Sequence, residues 1–440
     1  MPIIKKRSQM LEKNLTLVGS SGKIAISLQT GVWENIMIEK IDSRCKRAAW
    51  LCTLVYFTSY VMRINFAVMI VKVCSEMNLH KSELSVVLVG LTIFYGAGQV
   101  ISGFLGDKIK PTELLFYGVC VAVVCNVAMF FCHSVAAMTV VWCINGLAHS
   151  MLWPPTVRLL ASNFSEREYV YANIRVSWGS SFATVLLYLL CPVLLYFMSW
   201  RYIILICASV GVVTATLWRI CSPKIFGEAG SAEVKKEDKK ETVKMPSAIY
   251  LPVVLITLGI IAQGMLRDGV TNWMPAFMMD TFNMTEENSI LTAVIPAVFS
   301  IIAFGVFGKL QQKLIKNEVL CAASIFGLAA VSALVMYLVS GGAAVSTLLM
   351  GLIIACMHGV NLMLVGVVPQ RFLKYGRVST MSGILNACTY VGSAVSTYVF
   401  AAIAESKGWN FTVGMWAVIA AAGIVIILVT SVLWKKYSKN

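Results

Sequence analysis

The sequence predicts an all-α membrane protein of twelve transmembrane helices in two six-helix, pseudo-symmetric halves. Three observations carry that expectation. The 440-residue chain is 58% hydrophobic and only 13% charged, about half the charged share of a soluble domain. Its apolar residues gather into about twelve runs, each close to the ~20 residues that cross a bilayer. A polar, charged stretch then divides those runs six and six.

The first six runs lie at about 48–74, 84–106, 112–132, 135–159, 170–197 and 201–219, and the second six at about 249–281, 288–308, 317–340, 343–368, 379–404 and 410–434. Mean hydropathy is +0.78, too high for a solvated surface. Residues 48–220 form the first half and 249–435 the second, with a tail at 436–440. Between the halves, 221–248 contains Ser231-Ala-Glu-Val-Lys-Lys-Glu-Asp-Lys-Lys-Glu-Thr-Val-Lys244, polar and free of aromatics, and reads as a cytoplasmic linker.

The net charge of +15 follows from topology rather than from nucleic acid. With both termini and the even-numbered gaps inside, the inside segments hold clusters such as Lys5 to Arg7, Lys108 and Lys110, Lys235 to Lys244, Lys309 to Lys316 and Arg371 to Arg377. The outside segments hold only Lys72, Lys81, Arg201 and Lys407. Cytoplasmic loops carry such an excess of Lys and Arg. Both termini are therefore expected in the cytoplasm, with the cell (inner) membrane as the host. Residues 1–47 are a cytoplasmic extension: Lys5-Lys-Arg7 is basic, but no secretory signal core follows. Residues 24–41 read either as an interfacial amphipathic helix or as a leader without structure.

The chain has 13 cysteines, and most, such as Cys52, Cys120, Cys125, Cys143 and Cys356, fall inside apolar runs, where they pack as small apolar residues. No CxxC pair or Cys/His spacing offers a metal site, and no P-loop or catalytic constellation appears, so neither an enzyme nor a cofactor is expected.

Charge inside the runs is scarce, which makes two arginines conspicuous. Arg63 lies in Trp50 to Ile70, and Arg267 lies in Leu251 to Met279, the first run of each half. A guanidinium cannot shed its proton. At bilayer depth it costs on the order of 3 kcal/mol or more and marks function. Two of them, one per half, point to a paired site for an anion. The halves also echo each other downstream: Gly103-Phe-Leu-Gly-Asp-Lys-Ile-Lys110 follows the second run and Gly305-Val-Phe-Gly-Lys-Leu-Gln-Gln-Lys313 the eighth. Parallel six-helix repeats with the substrate at their interface are a transporter plan.

The segments Tyr56-Phe-Thr-Ser-Tyr60-Val-Met-Arg63-Ile-Asn65-Phe66, Tyr95-Gly-Ala-Gly-Gln99, Trp153-Pro-Pro155-Thr-Val-Arg158, Leu266-Arg267-Asp-Gly269-Val-Thr-Asn-Trp273-Met-Pro275 and Gly383 to Gly392 with Tyr390 carry a resemblance. Over about residues 48–435 the chain resembles the major facilitator superfamily, and within it the organophosphate:phosphate antiporters of glycerol phosphate and hexose phosphate. The resemblance implies the major facilitator fold, a monomer, and alternating-access exchange of an organic phosphate for inorganic phosphate. It implies that Arg63 and Arg267 grip the phosphate, that Tyr95 and Tyr390 line the pocket, and that Asp107 with Lys108 gates the halves. The residues agree in part. Tyr56, Tyr60 and Arg63 share one helix face, and a guanidinium meets phosphate with two parallel hydrogen bonds. Asp268 is read either as a partner of Arg63 or as a stabiliser of a closed state.

The departures bear on substrate. Related transporters carry a lysine where this chain has Gln99, and the glycerol-phosphate type a histidine near Ser180. His358 stands where tyrosine is frequent and replaces a cation or packs as a neutral ring. His149 reads as structural, and Arg175 as a snorkelling residue. Two rival functions remain: an ion-coupled symporter of another organic anion, with Asp268 as the titratable acid, and a membrane sugar-phosphate sensor.

Overall fold

The computed structural model describes residues 41–227, 244–285, 288, 289, 292, 294–339 and 341–437. The 1–40 part of the N-terminal extension and most of the linker lie outside the described residues. Ten helical spans are direct: α1 Ser43–Met77, α2 Lys81–Lys108, α3 Pro111–Phe131, α4 Val135–Asn163, α5 Glu166–Phe197, α6 Trp200–Phe226, α7 Tyr250–Phe282, α8 Val294–Lys313, α9 Glu318–Leu338 and α10 Ala343–Tyr375.

The last helical stretch, Val378–Trp434, is continuous for 57 residues. At 1.5 Å per residue it would measure about 85 Å, against about 30 Å of hydrocarbon. It breaks at Gly408, whose φ of 80° only glycine adopts without strain. It is therefore two spans, α11 (378–407) and α12 (409–434), which completes twelve. Span ends differ slightly from the expected ones. The first span begins at Ser43 rather than 48, and the sixth runs to Phe226 rather than 219. The added first end, Ser43 to Arg47, is basic and polar, and the added sixth end is interrupted by Ser222, Pro223 and Lys224, so hydropathy marks neither.

Two spans are interrupted at matching places. α4 breaks at Met151 and Leu152, ahead of Trp153-Pro-Pro155. α10 loosens into a π-helical segment, Leu362–Val367, and then a 3-10 segment ending at Tyr375. Proline at the second and third positions of the lower α4 segment costs little there, because those N–H groups have no helical acceptor.

The halves repeat each other in packing. α1 packs on α5, α2 on α4 and α3 on α6; α7 packs on α11, α8 on α10 and α9 on α12. Two equivalent seams join them, α2 with α11 and α5 with α8. The α2–α11 seam is close because both sides lack a side chain where they touch. A β-carbon on Gly103 would stand 2.9 Å from the Ser379 carbonyl oxygen, and one on Gly383 2.2 Å from that of Gln99. Long apolar side chains such as Val124, Ile302, Val331 and Val425 stay exposed on the outer face, as a bilayer-covered surface requires.

Candidate anion site between the halves

Arg63 sits near the middle of the 35-residue α1. Polar side chains of α3 and α4 fix the backbone beneath it. The Met62 carbonyl accepts from Asn126 Nδ2 at 3.0 Å and Asn145 Nδ2 at 3.2 Å, and Asn65 Nδ2 donates to Asn126 Oδ1 at 2.8 Å. His149 Nδ1 lies 3.1 Å from Ser59 Oγ, so its place is structural, pinning α4 to α1. Arg267 is held likewise on α7. Gln263 Nε2 donates to the Met357 carbonyl of α10 at 3.1 Å, and Thr389 Oγ1 of α11 lies 3.4 Å from Gln263 Oε1.

Tyrosines connect the two arginines. The Arg63 guanidinium lies 4.2 Å from the ring centre of Tyr60 and 4.5 Å from that of Tyr95. Tyr95 meets Tyr390 edge-on at 4.9 Å, across the seam between α2 and α11. Tyr390 lies 5.9 Å from the Arg267 guanidinium. Tyr60 is within electrostatic reach of both cations. Tyr56 stacks on Tyr60 at 5.3 Å and on Trp153 at 5.1 Å. Such rings attract cations through their faces, by about 0.5–2 kcal/mol each.

The two cations differ in one respect. Arg267 donates from Nε and from an Nη to the two carboxylate oxygens of Asp268, at 2.6 and 2.8 Å. Asp268 thus pairs with Arg267 rather than with Arg63; the long arginine side chain curls back over the angle that separates neighbouring helical positions. Arg63 is 8% exposed, and among the described residues no carboxylate forms an ion pair with it. His358 on α10 packs against Phe304 at 5.5 Å and lies within reach of Arg267 and Asp268. The structure therefore gathers Arg63, Tyr60, Tyr56, Tyr95, Tyr390, Arg267, Asp268 and His358.

Gln99 lies one helical turn from Tyr95. It is fully buried, and neither its amide oxygen nor its nitrogen has a hydrogen-bond partner. Ser180 is buried and donates to the Ser177 carbonyl, so it is spent on its own helix.

Asp107 and Lys108 are elsewhere, at the end of α2. The Asp107 carboxylate accepts from the backbone N–H groups of Ser379 at 2.9 Å and Thr380 at 2.8 Å. It caps the N-terminus of α11 in the opposite half, where a helix leaves N–H groups unpaired and presents positive potential. Lys108 is exposed. Arg158 supports the turn by donating to the carbonyls of Gly106 and Ile109.

The other seam is closed by residues that the motifs did not indicate. Arg371 donates to Glu166 of the first half at 2.5 and 3.2 Å, and to Glu318 at 3.0 and 3.3 Å. Glu318 is fully buried and also accepts from Trp434 Nε1 at 2.9 Å. Tyr169 Oη donates across the seam to the Gly366 carbonyl in the π-helical segment. The α8 loop lacks an acid, having Lys309 in place of Asp107, and the acid comes from α5 instead.

The sequence profile of the Major Facilitator Superfamily matches residues 52–397. The chain belongs to the major facilitator superfamily. It is a multi-pass membrane transporter rather than an enzyme. A glycerol-3-phosphate transporter of Bacillus subtilis (strain 168) is 22% identical over 406 residues, 86% of this chain and 90% of the relative. A phosphoglycerate transporter protein of Salmonella typhimurium is 22% identical over 385 residues, 80% of this chain and 82% of the relative. Among solved structures, that of a bacterial homologue of the iron transporter ferroportin, in an outward-facing state, superposes with a TM-score of 0.64 at 14% identity. It covers 91% of this chain and 100% of that one, a likeness of fold alone.

Proposed function

We propose that this transporter carries an organic phosphate, a sugar phosphate or glycerol phosphate, in exchange for inorganic phosphate. The reading rests on one observation: two arginines inside membrane spans, one from the first helix of each half, linked across the seam by Tyr95 and Tyr390. The transport of phosphorylated solutes by similar proteins, as their names state, supports it. With Asp268 counted, the pair of guanidiniums has one net positive charge, suited to an anion of one to two charges.

In this mechanism phosphate meets Arg63 first, because that guanidinium has no carboxylate to give up. Arg267 then shares its fork between Asp268 and the phosphate, and Tyr60, Tyr95 and Tyr390 turn their hydroxyls to the remaining oxygens. The Asp107 cap and the Glu166–Arg371 pair hold one side shut, the basic side that the charge pattern assigns to the cytoplasm. The halves rock about the bound anion to open it. An empty site leaves Arg63 uncompensated in a low-dielectric seam, which penalises the return without an anion and favours exchange.

The test is efflux from phosphate-loaded proteoliposomes. Labelled phosphate leaves when external phosphate, glycerol 3-phosphate or glucose 6-phosphate is added, and stays inside with Arg63→Lys or Arg267→Lys. Absence of exchange under all of these conditions would sink the antiporter. The half-buried Asp268 carboxylate, within the α7 span, keeps ion-coupled symport as a second reading. Under that reading Asp268→Asn abolishes pH-driven accumulation while leaving exchange intact.

A further inference from the structure

A third arginine lies inside the membrane-spanning region, on the outside of the bundle. Arg175 is nine residues into α5 from Glu166, about 14 Å along the helix. One face of α5 contacts α1 through Gly179, and another contacts α8 through Ile174 and Ser181. By helical spacing Arg175 lies about 100° from the α8-facing Ile174 and one turn from Gly179, at the edge of the α1 face. It lies on the stripe of Phe182, Leu186 and Leu189, which are 45%, 39% and 57% exposed and face lipid. Its guanidinium is stacked between Tyr171 at 4.7 Å and Trp178 at 4.3 Å. Its Nε is buried without a hydrogen-bond partner, and among the described residues no carboxylate pairs with it.

The groove beside it is built from both halves. Trp178 Nε1 donates to the Ile301 carbonyl of α8 at 2.9 Å, and Gly305 opens the wall opposite the indole. The contacts of Ile301 with Trp178, Gly308 with Ile174 and Gln312 with Arg167 set an antiparallel register. That register places the exposed Lys309 level with Tyr171. By the same register Val306 is level with Arg175, while Ile302 and then Phe182 lie towards the membrane centre, all three exposed. A cation within the span and a second nearer its basic end, beside exposed apolar side chains, match one ligand: a phospholipid with a net negative headgroup and a chain running along the seam. Basic pockets between spans on this side of a membrane have that chemistry.

We propose that Arg175, with Lys309 across the seam, binds the phosphate of an anionic phospholipid in the leaflet on the Asp107 side. Because α5 and α8 supply one cation each, the lipid ties the halves together there and favours the state described here. The site is separate from the arginine pair and does not depend on which solute is carried.

The test uses the full chain in nanodiscs of phosphatidylcholine with a minor share of phosphatidylglycerol, followed by native mass spectrometry of the lipids retained. Loss of one basic contact corresponds to roughly fivefold weaker retention of phosphatidylglycerol. That loss is expected for Arg175→Gln, a smaller one for Lys309→Gln, and none for Lys407→Gln on the opposite side. Excess inorganic phosphate is expected to displace nothing. Unchanged retention in Arg175→Gln would overturn the proposal. So would an equal loss in Lys407→Gln, which would mean bulk charge, or displacement by phosphate, which would mean a soluble-anion site. Lys309 is exposed, so its variant keeps the test decisive if Arg175→Gln does not fold. The readout counts lipids, so a failed transport assay leaves it standing.

Discussion

Arg63 and Arg267 occupy equivalent places in the two halves yet live in different company. Arg63 is packed between tyrosine rings, 4.2 and 4.5 Å away, with no counter-ion among the described residues. Arg267 grips Asp268 with two hydrogen bonds. The repeat reproduces the cations but not their neutralisation. The difference assigns them separate tasks. In the proposed mechanism Arg63 supplies the uncompensated charge that draws an anion in, and Arg267 supplies a grip whose strength Asp268 sets.

The largest expected effect follows from Arg63→Lys. An ammonium keeps the charge but loses the planar fork and the stacking, so phosphate exchange is expected to fall about 100-fold, or about 3 kcal/mol. If the lysine variant exchanges as well as the parent, charge alone suffices and the tyrosine cage has no part. Asp268→Asn is expected to act in the opposite direction. Freeing Arg267 from its counter-ion should tighten equilibrium phosphate binding about tenfold, roughly 1.4 kcal/mol, while slowing turnover. Weaker binding in that variant would mean that Asp268 positions Arg267 rather than competes for it.

Smaller effects test what surrounds the pair. Tyr95→Phe and Tyr390→Phe keep the rings but remove hydroxyls, and a loss of about threefold to tenfold in affinity is expected, near 1 kcal/mol per hydrogen bond. Asp107→Asn weakens the charge at the α11 N-terminus and is expected to shift the balance of states by about 1 kcal/mol, some fivefold. Spin labels on the exposed Lys108 and Lys374, one on each half, would show a larger share of long distances. An unchanged distance distribution would mean that Glu166 and Arg371 hold the side closed unaided.

Much of this was legible in the sequence, for identifiable reasons. Hydropathy locates spans because the bilayer fixes their length. Arg63 and Arg267 are visible because charge at depth is rare. What single residues do after folding was less legible. Asp268 follows Arg267 directly, and helical geometry alone separates them; only the curled side chain brings them together. Tyr95 and Tyr390 lie in different halves, so their contact needs the seam. Glu166, Glu318 and Arg371 stand at span ends, where charges are ordinary, and nothing in their local sequence distinguishes a clamp from a solvated cap. The break at Gly408 divides two spans that backbone geometry would otherwise run together, and there hydropathy had already separated 379–404 from 410–434.

The most direct test of the arginine pair is equilibrium binding of inorganic phosphate to the purified protein, measured calorimetrically for the parent, Arg63→Lys, Arg267→Lys and the double variant. Phosphate bound at one site per chain, lost in Arg63→Lys and weakened in Arg267→Lys, with coupled rather than additive losses in the double variant, is the predicted result. Phosphate bound equally well by all four proteins would contradict the account.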